Sequence, residues 1–142
     1  MSDAPLIARA AAPFVDVVRE MKPDQLTART PCTDYSVREL VNHLLIWGPP
    51  LEGAARKEFV PPLPSDTDLT GGDWTALLIA QMERNVAAWS DPAAWQGTTF
   101  MGGSTELPAA SVGEMALVEM LAHGWDLARA TGQAPRWPDD VV

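Results

Sequence analysis

Basic residues are scarce in this chain: ten Lys and Arg stand against nineteen Asp and Glu, a formal net charge of −9. That balance argues against DNA or RNA as a ligand, because neutralisation of phosphates by Lys and Arg supplies most of nucleic-acid affinity. It disfavours an anionic membrane surface for the same reason. The apolar runs fall far short of the roughly 20 residues that cross a bilayer. Met1-Ser2-Asp3-Ala4-Pro5 has neither a basic stretch nor a long apolar one, so no signal peptide is read there. The single cysteine, Cys32, cannot form an internal disulfide, and these two features favour the cytoplasm. Internal repeats and low-complexity blocks are missing. Histidine is rare too, at two residues, His43 and His123.

What is present fits one soluble globular domain: 142 residues, 46% hydrophobic and 20% charged. Apolar positions recur at helical spacing from Leu6 to Met21, with Pro13 predicting a kink or a helix that begins only near Ala11. A second helix opens at Ser36, where Ser36 and Glu39 make an S-x-x-E capping box and Tyr35 and Leu40 take the staple positions. Gly48-Pro49-Pro50 removes two backbone donors in a row and predicts a break, followed by a shorter continuation from Leu51 to Phe59. Val60 to Gly72 reads as a linker. Asp73 begins a third helix with Trp74, Leu77, Leu78, Met82, Val86 and Trp89 on its buried stripe, ending near Ser90-Asp91-Pro92. Thr98-Thr99-Phe100-Met101 and Ser104-Thr105-Glu106-Leu107 flank Gly102-Gly103 as a small β-hairpin. Ser111 and Glu114 form a second S-x-x-E box for a fourth helix that runs to Thr131, with Gly132 as its left-handed cap. That helix is apolar nearly all round, which suits the centre of a bundle or a homodimer interface. The reading is an all-α bundle over residues 1–132 and an irregular tail over 133–142, which contains Pro135 and Pro138.

The chemistry concentrates in Glu119-Met120-Leu121-Ala122-His123-Gly124-Trp125-Asp126. A carboxylate and an imidazole four residues apart lie one above the other on a helix, which is half a metal site. His43, on the edge of the second helix's apolar face between Leu40 and Trp47, is the other histidine that could complete it. The hypothesis is that His43, Glu119 and His123 converge on one divalent ion. On periodicity alone Glu119, His123 and Asp126 are equally the wet stripe of an amphipathic helix, and a lone histidine such as His43 is more often structural. Against the wet stripe stand the apolar neighbours Met115, Ala116, Leu127 and Ala130, since a buried carboxylate without a partner costs several kcal/mol. Asp126 either orients His123 from behind or pairs with Arg129. Trp47 and Trp125 read as core or pocket wall, and Cys32 as a packing residue, with no basic neighbour to lower its pKa.

The segments from Thr30 to Leu44 (TPCTDYSVRELVNHL) and from His123 to Gly132 (HGWDLARATG) resemble the two signatures of an actinobacterial family. It is the DinB-like group related to the N-terminal domain of mycothiol-dependent maleylpyruvate isomerase. The resemblance covers most of the chain, from the first helix to Gly132, and the second signature is the more specific. It implies a DinB-like four-helix bundle with a long crossover connection. It also implies a metal, usually zinc, held by a histidine late in the first signature and by a Glu and a His on the fourth helix, which here are His43, Glu119 and His123. The isomerase carries a second domain that helps bind substrate, and this chain ends soon after Gly132 without one. Two functions follow. The first is a metal-dependent thiol transferase or isomerase that uses a small thiol such as mycothiol and an electrophilic substrate. The second is a non-catalytic metal-binding or stress-related dimeric bundle. Two histidines and a carboxylate are compatible with Zn, Ni or Fe(II).

Overall fold

A computed structural model describes residues 6–31, 35–101, 103, 105–135 and 137. Cys32, Gly102, Ser104, Pro138 and the first five residues, with the readings attached to them, lie outside the described residues. The chain forms helices α1 (Leu6–Glu20), α2 (Val37–Ala55), α3 (Trp74–Trp89) and α4 (Ala109–Ala130), with strands β1 (Thr98–Phe100) and β2 (Glu106–Pro108) before the last helix. Each of α1 and α2 packs against both α3 and α4, so the four helices make a bundle. Its core includes Phe14, Val17 and Val18 from α1, Leu40, Val41 and Leu44 from α2, Leu78 and Met82 from α3, and Val112, Ala116, Met120 and Leu127 from α4. No helix among the described residues is long and apolar enough to cross a membrane.

Local chemistry sets the ends of α2. Ser36 Oγ accepts from the Glu39 N–H at 3.2 Å, and Glu39 Oε1 accepts from the Ser36 N–H at 3.1 Å, the reciprocal box that the sequence predicts. At the other end the Glu58 N–H reaches the Gly53 carbonyl, and Lys57 takes a left-handed backbone with φ 61°. A side chain there costs about 1 kcal/mol, offset because Lys57 Nζ donates to the carbonyls of Ala94 at 2.8 Å and Gln96 at 2.6 Å.

The prolines act differently from expectation. α2 runs unbroken through Pro49 and Pro50 and stops at Ala55 rather than Phe59. Pro13 lies inside α1, which starts at Leu6 and not near Ala11. Each interior proline removes a bond worth about 3 kcal/mol of helix propensity. Burial outweighs it: Leu44, Leu45, Ile46, Gly48, Pro50 and Leu51 are all buried around the double proline, and each large apolar side chain contributes about 1.5–3 kcal/mol.

The hairpin forms with Thr98 opposite Pro108, Thr99 opposite Leu107 and Phe100 opposite Glu106. Buried Thr99 ties it to the bundle, its hydroxyl donating to the Ala54 carbonyl at 2.7 Å. Because β2 leads straight into α4, the helix starts at Ala109 with Pro108 at its cap, and no Ser111–Glu114 box opens it. The cap at its other end is as expected: Gly132 has φ 71° and the Gln133 N–H bonds the Ala128 carbonyl. On α3, Leu77 is exposed, and Gln81 and Asn85 occupy the buried stripe instead. Gln81 is accommodated because Gly48 has no Cβ to meet its side chain. Residues 133–135 have no regular structure, but Gln133 Nε2 donates to the Val17 carbonyl and Trp137 Nε1 to the Ala10 carbonyl, which ties this segment along α1.

Candidate metal centre

α2 and α4 are neighbours in the bundle, and their facing edges bring His43 against Glu119 and His123. His43 Nε2 lies 3.3 Å from Glu119 Oε2, and His123 Nε2 lies 3.0 Å from the same oxygen. The i,i+4 spacing stacks Glu119 and His123 on one face, as helix geometry requires. One ligand atom from each of the three residues falls within 4.8 Å of the others, so the trio could hold a metal ion. The donor set fits one. Metal–ligand bonds of about 2.0–2.1 Å in a tetrahedral site place donors roughly 3.3 Å apart, and the two observed separations are close to that.

Two further contacts orient the imidazoles. Asp126 Oδ2 lies 3.3 Å from His123 Nδ1. A proton on Nδ1, donated to Asp126, leaves the Nε2 lone pair facing Glu119. Arg129 does not take Asp126; its guanidinium lies over the Trp125 ring at 5.5 Å. Tyr35 packs its ring against His43 with centroids 5.5 Å apart, and the His43 and His123 rings meet edge-on at 5.2 Å.

The charges reinforce one another. Burial pushes the Glu119 carboxyl up, but hydrogen bonds and charge from His123 and His43 outweigh burial and hold it at about 2. Donation to the Glu119 carboxylate raises the pKa of His123, with Asp126 adding to it against the opposing effect of burial.

A cavity of about 350 Å³ opens beside His43, lined among others by Tyr35, Arg38, Asn42, Trp47 and Asp66. The connection between α2 and α3 forms one side of it, fastened by Asn42: its Oδ1 accepts from the Leu69 N–H at 2.7 Å and its Nδ2 donates to Asp68 Oδ1 at 3.1 Å. Thr70 and Asn42 hold the Asp68 carboxyl at about 2. Trp47 thus lines the pocket next to His43, whereas Trp125, 49% exposed, lines a separate recess on the outer side of α4. Sequence reasoning gave Tyr35 only a staple position and passed over Asn42; the signal available was their place eight residues before and one residue before His43.

Comparison with known proteins then places the chain. Residues 7–128 match the mycothiol maleylpyruvate isomerase N-terminal domain. The chain belongs to that family. Among curated proteins it is similar to the uncharacterized proteins Rv0738 and MT0763 of Mycobacterium tuberculosis, strains H37Rv and CDC 1551. Each is 28% identical over 134 residues, covering 92% of this chain and 69% of the relative. No solved structure matches. In this family chain, His43 from the first signature meets Glu119 and His123 from the fourth helix, although they are 76 and 80 positions apart.

Proposed function

We infer that the protein holds one divalent metal through His43, Glu119 and His123 and acts as a metal-dependent thiol transferase or isomerase of the mycothiol type. The observation that carries this reading is a carboxylate bracketed by two imidazole Nε2 atoms at 3.3 and 3.0 Å. A divalent ion bound there, zinc foremost with nickel or iron(II) also compatible, supplies Lewis acidity that lowers the pKa of a thiol or water.

The remaining work falls to side chains of this chain. His43 and His123 would hold the ion through their Nε2 atoms, and Glu119 would balance its charge. Asp126 keeps the proton on His123 Nδ1 so that Nε2 stays available. Trp47 and Tyr35 supply apolar walls to the cavity beside His43, and Arg38 supplies a cation there that can pair with a carboxylate of an electrophilic substrate. A small thiol stays reduced in the cytoplasm, which is where we place the activity.

The test is thiol-dependent turnover of an electrophile before and after chelation, read together with far-ultraviolet circular dichroism. The reading expects chelation to abolish turnover while helicity stays nearly intact, because the apolar core holds the bundle, and expects added zinc to restore activity. Unfolding on chelation would make the ion structural. Turnover that survives complete metal removal would overturn the enzymatic reading.

A further inference from the structure

The outer side of α4 carries Met115, Val118, Ala122 and Trp125, at successive spacings of three, four and three residues. That is the spacing of a helix–helix seam. Met115 is 42% exposed, Val118 60% and Trp125 49%, and Ala122 is exposed with them. The bundle's own core uses a different face of the helix, Val112, Ala116, Met120 and Leu127, all buried. Glu119, His123 and Asp126 lie on the edge between the two faces. Isolated exposed apolar residues are ordinary, but a row at seam spacing along one helix marks an interaction surface.

The row also says what covers it. About a point midway between Leu121 and Ala122, reversal pairs the exposed face of the helix with itself at two levels, while Met115 falls opposite buried Ala128. Val118 falls opposite Trp125, and acidic Glu114 falls opposite basic Arg129. A two-fold axis through that point pairs α4 antiparallel with a second α4, setting each Glu114 against Arg129 of the other copy. A recess of about 400 Å³, lined by Val118, Leu121, Ala122, Trp125, Asp126 and Trp137, lies where the other copy's Trp125 would enter.

We propose that the protein forms a two-fold homodimer through antiparallel packing of α4 on α4, with Trp125 of each copy seated against Val118 of the other. One helix pair buries less than the roughly 1,600 Å² of a standard interface, so the dimer is concentration-dependent. The second copy also covers Asp126, which excludes water from the hydrogen bond that orients His123. The interface stands on the exposed row and its charge symmetry and does not depend on the metal.

Sedimentation velocity on the full chain tests this. The wild type should pass from monomer to dimer as its concentration rises. Val118→Asp and Ala122→Glu should each remain monomeric with an unchanged circular dichroism spectrum, because both positions are exposed. Glu114→Arg and Arg129→Glu should each weaken dimerisation by about tenfold, through like charges set opposite one another. The double exchange should restore it. A wild type that stays monomeric throughout overturns the proposal. So does dimerisation unaffected by Val118→Asp in a folded variant, or a double exchange no better than either single one.

Discussion

Asp126 stands one hydrogen bond behind His123 and is largely shielded from water, so its effect reaches the proposed metal through the imidazole that it orients. Replacing it with alanine should weaken metal binding about 10–100-fold while leaving the stoichiometry at one; titration against a competing chelator measures this. The metal-free cluster has its own pH signature. The Glu119 carboxyl sits at about 2, below its ordinary 4.5, so its stabilising effect is complete above 4.5 and is lost as pH falls toward 2. His123 is raised above 6.5, so its effect is complete below 6.5 and is lost as pH rises through the folded value. The stability difference between metal-free wild type and Glu119→Gln should therefore be largest between pH 4.5 and 6.5. Denaturant unfolding across pH reads it, and a difference that grew steadily toward pH 9 would contradict the ion-pair account. At this scale the sequence made the Glu119–His123 pair legible, since helical periodicity alone stacks positions four apart. His43 was harder: it lies on the edge of an apolar face, where burial can go either way, and its pairing depends on how two distant helices dock. Tyr35 and Asn42 escaped notice because what they do depends on the chain folded around them.

Among the elements, α2 carries the largest share of local determination. Ser36→Ala removes the hydroxyl that accepts from the Glu39 N–H and should cost about 1 kcal/mol in urea unfolding. Near its other end, Glu52 receives Arg56 at 2.6 Å, Arg84 at 3.1 Å and Gln81 at 3.0 Å, a tie between α2 and α3. Burial pushes Glu52 up, but hydrogen bonds from Arg56, Gln81 and Arg84 together leave it below its ordinary 4.5. Its folded pKa is depressed, so the tie is fully present above pH 4.5 and weakens as pH falls through the lower folded value. Gly48→Ala would press a methyl group into Gln81 and should destabilise by about 1–3 kcal/mol. Capping chemistry was legible where the chain before the helix is free to adopt it, as at Ser36. It failed at Ser111, where β2 delivers the chain into α4 three residues early. Proline misled for a related reason: the rule counts lost backbone bonds, and here buried side chains on both sides of Pro49 and Pro50 decide the outcome.

At the scale of the whole molecule, the bundle and the hairpin before the last helix follow from spacing, turn residues and composition, and the family signatures supply the architecture. The faces of α4 were less legible. A helix that is apolar nearly all round does not reveal which side meets its own core, and the structure gives that side to Val112, Ala116, Met120 and Leu127 while leaving Val118 and Trp125 outside. Packing also explains why metal removal should spare the fold. The core is contributed by all four helices, and Phe14, fully buried within it, should cost about 3–5 kcal/mol on substitution by alanine, a loss that metal cannot restore. The central claim is that His43 and His123 join Glu119 at one ion. Elemental analysis of wild type, His43→Ala and His123→Ala, each purified without chelator, tests it most directly. The account predicts about one equivalent of divalent metal in the wild type and a large loss in both folded variants; equal metal in all three, or none in the wild type, would contradict it.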